Sequence, residues 1–316
     1  MMQTPQRKGC HFWKRRRIPA SSSSWERTFP IQAASTDRSQ EYLDEDGRRH
    51  RADAPYLLPK DDKEIQRLGY QHFVLRSVLK GNLFAPVDAT LKKGGHVLDV
   101  GSGTGRWGHE IASAYPQTRV CGFDLEDVPT TVSTPLNYQF YRGNLLHGLP
   151  FVANSFQYTH QRLLVAAIPL DAWPQVIEEL KRVTSPEGWI ELIEVGNTFH
   201  HAGPATKQFL TWWGAISATK GIDASKMSQI GAFLKMTRLS NIQMETKIVP
   251  VGSWGGREGN LLAQDMLAGW PMMRPLAHSL LHIPPDVFDE VIGRLETEWN
   301  SYQTTYEVYL ACGQVA

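Results

Sequence analysis

The stretch HVLDVGSGTGRWGHEIA, residues 96–112, constrains the chain most. A short apolar run passes straight into a turn with glycine at positions 101, 103 and 105, and then into sequence that suits a helix over residues 106–115. The run HVLDV (96–100) reads as a buried strand, and glycines at alternate positions allow positive φ and close approach of backbone. A strand, glycine turn and helix in that order belong to a parallel sheet covered by helices on both faces.

The rest of the chain continues the alternation. Further strands are expected at RVCGFDL (119–125), YQFYRGN (138–144), SFQYTHQRLL (155–164), WIELIEV (189–195), IQMETKIVPV (242–251) and TYEVYLACG (305–313). Ile65, Leu68, His72, Leu75 and Leu79 form one helical stripe, with Asp61 and Glu64 as its N-terminal cap. Trp173, Val176, Ile177, Leu180 and Val183 form another, with Asp171 placed to cap it and SPEG to stop it. Two helices are expected near 204–220 and 225–239, and one near 285–299. The expected fold is α/β: a doubly wound, mostly parallel seven-stranded sheet. Its parts are a basic, Ser-rich, disordered tail (1–50), a helical lead-in (51–90) and the main domain (91–316). Helical caps are inserted in that domain at about 200–240 and 255–300. No internal repeat is visible.

The 316 residues carry a net charge of +1, so nothing global points to nucleic acid. The three cysteines, Cys10, Cys121 and Cys312, lack CxxC spacing, which argues against a zinc site or a disulfide framework and fits a cytoplasmic setting. Apolar runs fall short of the roughly 18 residues a membrane span needs. RKGCHFWKRRR near the start lacks the apolar core of a secretory signal and reads as a basic tail or a targeting arm.

In a doubly wound sheet, ligands sit beyond the carboxyl ends of the strands. Dinucleotides and S-adenosylmethionine (SAM) both use a glycine turn there. Gly103, Gly105 and Gly108 spell G-x-G-x-x-G, but counted from the strand end at Gly101 the third position falls on Arg106, where helix–strand packing wants Gly or Ala. The register is wrong for NAD. The whole line VLDVGSGTG, with Asp99 two residues before Gly101, resembles motif I of the class I SAM-dependent methyltransferases, whose acid can orient the methionine ammonium. Asp124 ends the second strand, where a carboxylate accepts from the ribose hydroxyls, and Asn144 follows the third, where an adenine-reading residue stands. Ser102, Leu125, Gly143 and Leu145 complete the expected cofactor set with Gly101, Gly103 and Gly105.

YLLPKDDKEIQRLGYQHFVLRSVLKGNLFAPVD (56–88), YPQTRVCGFDLE, YTHQRLL and YEVYLACG together resemble the fungal LaeA-like methyltransferases over about residues 55–313. The resemblance implies a Rossmann-like methyltransferase fold, SAM as cofactor, and Tyr56 and His72 at the cofactor site. It also implies Thr159, His160, Gln161 and Arg162 beside the sulfonium. Lys60 and Asn144 depart from the family, which commonly has Asn or Asp at the first position and Asp at the second. The group includes regulators and enzymes of secondary metabolism, so the resemblance fixes no substrate.

Methyl transfer to a hydroxyl benefits from a general base, whereas a carboxylate or carbanion-like carbon needs none. The candidates are His160 at the end of the fourth strand, and His200 or His201 in an expected loop after the fifth; Glu194 is placed to touch substrate or the cofactor amine. No carboxylate cluster accompanies the histidine pair, so no metal is expected. Trp212, Trp213, Trp254 and Trp270, with Arg257, Met266, Met272 and Met273, would wall an apolar acceptor pocket. The expected activity is SAM-dependent methylation of a hydrophobic, natural-product-like small molecule at O, N or C, with no nucleic-acid or membrane partner. A regulator acting through a protein partner or homodimer, and a methyltransferase fold recruited to another reaction such as cyclisation, are the alternatives.

Overall fold

The computed structural model describes residues 40–127 and 133–316. The basic segment and Cys10 lie outside the described residues. The expected tail boundary at residue 50 falls inside an ordered hairpin: β1 (Glu41–Leu43) pairs antiparallel with β2 (Arg49–Arg51).

The central sheet consists of β3 (Gly95–Val100), β4 (Thr118–Asp124), β5 (Tyr138–Arg142), β6 (Phe156–Arg162), β7 (Thr184–His200), β8 (Ser240–Pro250) and β9 (Thr305–Gln314). Its seven strands run in the order β5-β4-β3-β6-β7-β9-β8. The β5 to β7 pairings are parallel, and β9 enters antiparallel between β7 and β8. The order reverses direction at β3, so the carboxyl ends of β3, β4 and β6 open onto the crevice where such sheets bind ligands.

Alternation along β3 sets its two faces. Leu98 and Val100 join Phe151, Trp173 and Ile177 under α4 (Trp173–Val183). Val97 joins Trp107 and Ile111 of α3 (Arg106–Ala114), and Asp99 shares that face. Trp173, Phe151 and Phe156 are fully buried, each contributing about 1.5–3 kcal/mol of transfer free energy. The sequence places Asp171 as the cap of α4, but the residue lies in a 3-10 turn and Ala172 holds the cap position without a side-chain bond.

Helix α1 (Asp62–Leu79) starts where expected, with the Asp61 side chain accepting from Glu64 N at 3.0 Å. Its buried face differs from the apolar stripe. Glu64 and Arg67 are buried with Val74, Leu75 and Val78, while Ile65 and Leu68 face a cavity. Short α2 (Asp88–Lys93) then leads into β3. Helices α5 (Pro204–Ala218), α7 (Gly256–Gly269), α8 (Arg274–Leu281) and α9 (Pro285–Tyr302) pack together, whereas α6 (Ile230–Met236), inside the expected cap at 200–240, lies on the sheet beside α4. Glu298 of α9 accepts from the amides of Ala205 and Thr206 at 2.7 and 2.9 Å, capping α5 from another element. No helix among the described residues is long and apolar enough to cross a membrane.

Candidate active site

The glycine turn is shaped by backbone that only glycine adopts easily. Gly101, Gly103 and Gly105 have φ of 70°, 52° and 72°. A Cβ at Gly101 would also lie 2.5 Å from Leu164 Cδ2, so a substitution there strains the backbone and displaces the Leu164 side chain. The Gly101 amide donates to Phe123 O at 2.8 Å, which folds the turn against the end of β4. There Asp124 accepts from Gly103 N at 2.8 Å through Oδ2 and from Glu126 N at 2.9 Å through Oδ1. Burial raises its carboxyl above the usual range, against the pull of these two amides.

The parallel register sets Asp99 beside His160, and their side chains meet, Oδ1 to Nδ1, at 2.9 Å. The His160 ring stacks on Trp107 with centroids 3.8 Å apart and planes within 4°. Asp99 Oδ2 and His160 Nε2 are buried without a hydrogen-bond partner. Arg162, two residues on and on the same face, donates to His72 Nδ1 at 3.0 Å. Burial first, and then the Arg162 charge, lower the His72 pKa.

A cavity of about 480 Å³ collects these groups. Tyr56, His72, Asp99, Gly101, Ser102, Gly103, Asp124, Leu125, Gly143, Asn144, Leu145, His160 and Arg162 line it. Gly105 stands just behind as the N-cap of α3. Asn144 caps the next 3-10 turn through Oδ1, which accepts from Leu146 N at 3.0 Å. The hairpin forms the opposite wall: Arg51 donates to Leu125 O at 3.2 Å and to Glu126 at 2.9 Å, and Lys60 reaches Glu126 at 3.3 Å.

A second cavity of about 190 Å³ shares Tyr56, Leu58, Leu68, Gln71 and Leu163 with the first. Its far wall is apolar and aromatic, with Phe199, Phe209, Trp213, Met266, Trp270 and Met273. Trp270 stacks on Phe209 at 4.0 Å.

Several expected residues are not brought to either cavity. Thr159 and Gln161 point to the other face of β6 and are fully buried, Thr159 bonding Thr184 Oγ1 at 2.7 Å. Glu194 is buried and accepts from the amides of Leu164 and Val165 at 2.9 and 3.1 Å, so it anchors the loop after β6 and does not face a ligand. Desolvation raises its pKa to about 8. His200 is the last residue of β7, not part of a loop, and bonds Glu307 of β9 at 2.7 Å; His201 follows with φ 53°. Trp212 packs on Phe288 inside the cap, and Trp254 is 37% exposed. Sequence reasoning missed Trp107, whose place in the first turn after the glycine loop is a usable signal. It also missed Asp265, which no local pattern marks, and gave no role to Arg67, although Glu64 and Arg67 form the acid–x–x–Arg–Leu segment of the lead-in.

The methyltransferase domain family model matches residues 97–188. The N-methyltransferase verN of Clonostachys rogersoniana is 31% identical over 259 residues, covering 79% of this chain and 88% of that protein. The chain belongs to the SAM-dependent methyltransferases. The N-methyltransferase sirN of Leptosphaeria maculans is 27% identical over 226 residues, 68% of this chain and 78% of its own length. The secondary metabolism regulator laeA of Aspergillus flavus is 28% identical over 188 residues, 57% of this chain, and the chain spans about half of it (49%). Membership makes SAM the cofactor of this methyltransferase. The cavity fits it: a glycine turn held at positive φ brings bare backbone to its edge, and a half-buried carboxylate at the β4 end holds only one backbone amide on each oxygen.

Proposed function

We propose that this methyltransferase transfers a methyl group to a hydrophobic small molecule held in the second cavity. The observation that carries the reading is the shared wall. Tyr56, Leu58, Leu68, Gln71 and Leu163 line both cavities, so a cleft suited to a nucleoside adjoins a pocket of aromatic and thioether side chains. When bound, the cofactor supplies an electrophilic methyl carbon on a sulfonium.

In this reading Asp124 holds the ribose diol, the backbone from Gly101 to Gly105 admits the aminoacyl end, and Asn144, flanked by Gly143 and Leu145, reads the adenine edge. Asp99 and Arg162 orient the ammonium and carboxylate of the methionine part. His160, fixed by Asp99 and Trp107 with Nε2 turned toward Glu191 Oε1 at 4.0 Å, holds the Asp99 carboxyl in place at the cavity floor. Positioning of the two reactants supplies much of the rate, because the methyl donor is already activated. A cytoplasmic setting and a place in secondary metabolism belong to the same proposal.

The similarity to laeA supports a second reading, a regulator that works through a protein partner. One experiment separates them. The full chain is incubated with methyl-labelled SAM and a library of apolar aromatic metabolites, and products are read by mass. Turnover on a library member supports the enzyme; SAM binding with no turnover on any member favours the regulator.

A further inference from the structure

Three ionisable side chains, one guanidinium and two carboxyl groups, are buried together where the two cavities meet. Arg67 of α1 donates through Nε and Nη2 to both oxygens of Glu64, at 2.7 and 2.6 Å. Its remaining contact, Nη1 to Asp265 Oδ1 on α7, is longer at 3.2 Å, and Gln71 supplies the other bond to Asp265 at 3.0 Å. Glu64, Arg67 and Asp265 are 2%, 8% and 7% exposed. With both carboxyl groups ionised, one guanidinium leaves the group at −1, and the bidentate match assigns the positive charge mainly to Glu64.

Asp265 is therefore an under-neutralised carboxylate on the wall of an apolar cavity. Burial raises its carboxyl above the usual range in spite of Arg67 and Gln71. A buried charge of this kind is costly unless a partner completes it. Among the described residues lining the second cavity, Arg67 is the sole permanent cation, and it is already committed. The remaining wall includes Phe199, Phe209, Trp213 and Trp270, whose π faces also favour a cation over a neutral group.

We propose that the acceptor is a hydrophobic amine that enters protonated, its nitrogen held by Asp265 and its apolar part lying among the aromatic side chains of the second cavity. This rests on the methyltransferase reading above and narrows its acceptor to a basic nitrogen. Before the nitrogen can act as a nucleophile, one N–H proton passes to the Asp265 carboxylate. That transfer leaves a neutral amine with its lone pair free and a neutral Asp265 carboxylic acid, so the network goes from −1 to zero as the amine goes from +1 to zero.

The test uses the full chain saturated with S-adenosylhomocysteine (SAH) and titrated calorimetrically with four probes: tryptamine, phenethylamine and their neutral counterparts tryptophol and phenethyl alcohol. At least one amine is expected to bind ten times or more tightly than the alcohol of the same skeleton. Asp265→Asn should bring that ratio to near one while changing SAH affinity by less than threefold. Glu64→Gln removes the same unit of charge and serves if Asp265→Asn fails to fold. Equal affinity for amine and alcohol, or no binding by either amine, overturns the inference. A fall in the SAM-to-SAH affinity ratio of Asp265→Asn, in place of the amine-to-alcohol ratio, also overturns it and assigns the charge to the sulfonium. Failure of SAH to bind the unaltered chain sinks the methyltransferase reading itself, whereas SAH binding without amine preference sinks only the amine.

Discussion

Replacing Asp124 by alanine isolates the cofactor site from the rest of the fold. Each carboxylate oxygen holds one backbone amide, at 2.8 and 2.9 Å, and each keeps a further lone pair for a ligand in the cavity it lines. Two hydrogen bonds from a ribose diol to a charged acceptor are lost, each worth about 1.5–3 kcal/mol. The opening of the cavity to water replaces part of this, so about 3 kcal/mol is expected, or about a hundredfold in SAH affinity. Freeing the Gly103 and Glu126 amides at a solvated rim costs stability about 1 kcal/mol. Calorimetric titration of Asp124→Ala with SAH, with circular dichroism to show a retained fold, measures both effects. Asp124→Asn keeps one acceptor oxygen and should fall between the two. Affinity within threefold of the unaltered protein, in a folded Asp124→Ala, refutes the assignment of the ribose to this carboxylate.

Gly101→Ala places a Cβ at φ 70° and against Leu164, so it should lose about 1–2 kcal/mol from the backbone alone, with a lower thermal midpoint and weaker SAH binding. An unchanged midpoint would mean the turn tolerates a side chain. Glu194 is held protonated in the fold up to about pH 8, well above the usual range for an unfolded glutamate. The folded state therefore binds the extra proton, and the stability it contributes is present at low pH and lost as pH rises toward 8. Glu194→Gln should flatten that decline, of about 1.4 kcal/mol per pH unit at most, in urea titrations between pH 5 and 8. A slope identical in the two proteins would argue against the buried proton. His160→Ala strands the Asp99 carboxyl and opens the floor of the cavity, so cofactor binding or turnover should drop tenfold or more. His200→Ala, whose side chain is 42% exposed at the end of β7, should change neither beyond twofold, and the reverse ranking in SAH titrations would restore the loop histidine to the site.

The cofactor half of the site was legible because its signals are local. Asp99, Gly101 and Asp124 each sit at a strand end, where the chain's own geometry fixes what they face. The strand after Ser155 shows the limit. Four consecutive residues, Thr159 to Arg162, carried the resemblance, yet a strand offers only alternate side chains to one face, so His160 and Arg162 reach the cavity and Thr159 and Gln161 do not. His200 was misplaced because β7 continues to residue 200 by pairing with β9, and nothing within residues 195–200 announces that partner. Arg67 and Asp265 meet across 198 positions, and although Arg67 belongs to the acid–x–x–Arg–Leu segment of the lead-in, nothing near either residue announces the other. The acceptor pocket is assembled almost wholly from contacts of this kind.

The position of β9 has a consequence in time. Because Thr305–Gln314 fits between β7 and β8, those two strands have no shared neighbour until residue 314 has been made. A growing chain can pair β3 through β7 and dock α9 on α5 through Glu298 while β8 waits without its neighbour in the sheet. The last strand also delivers Tyr306 and Val308 to the wall of the second cavity. The second cavity is thus closed only when the last strand is in place, whereas no residue lining the first comes from β9.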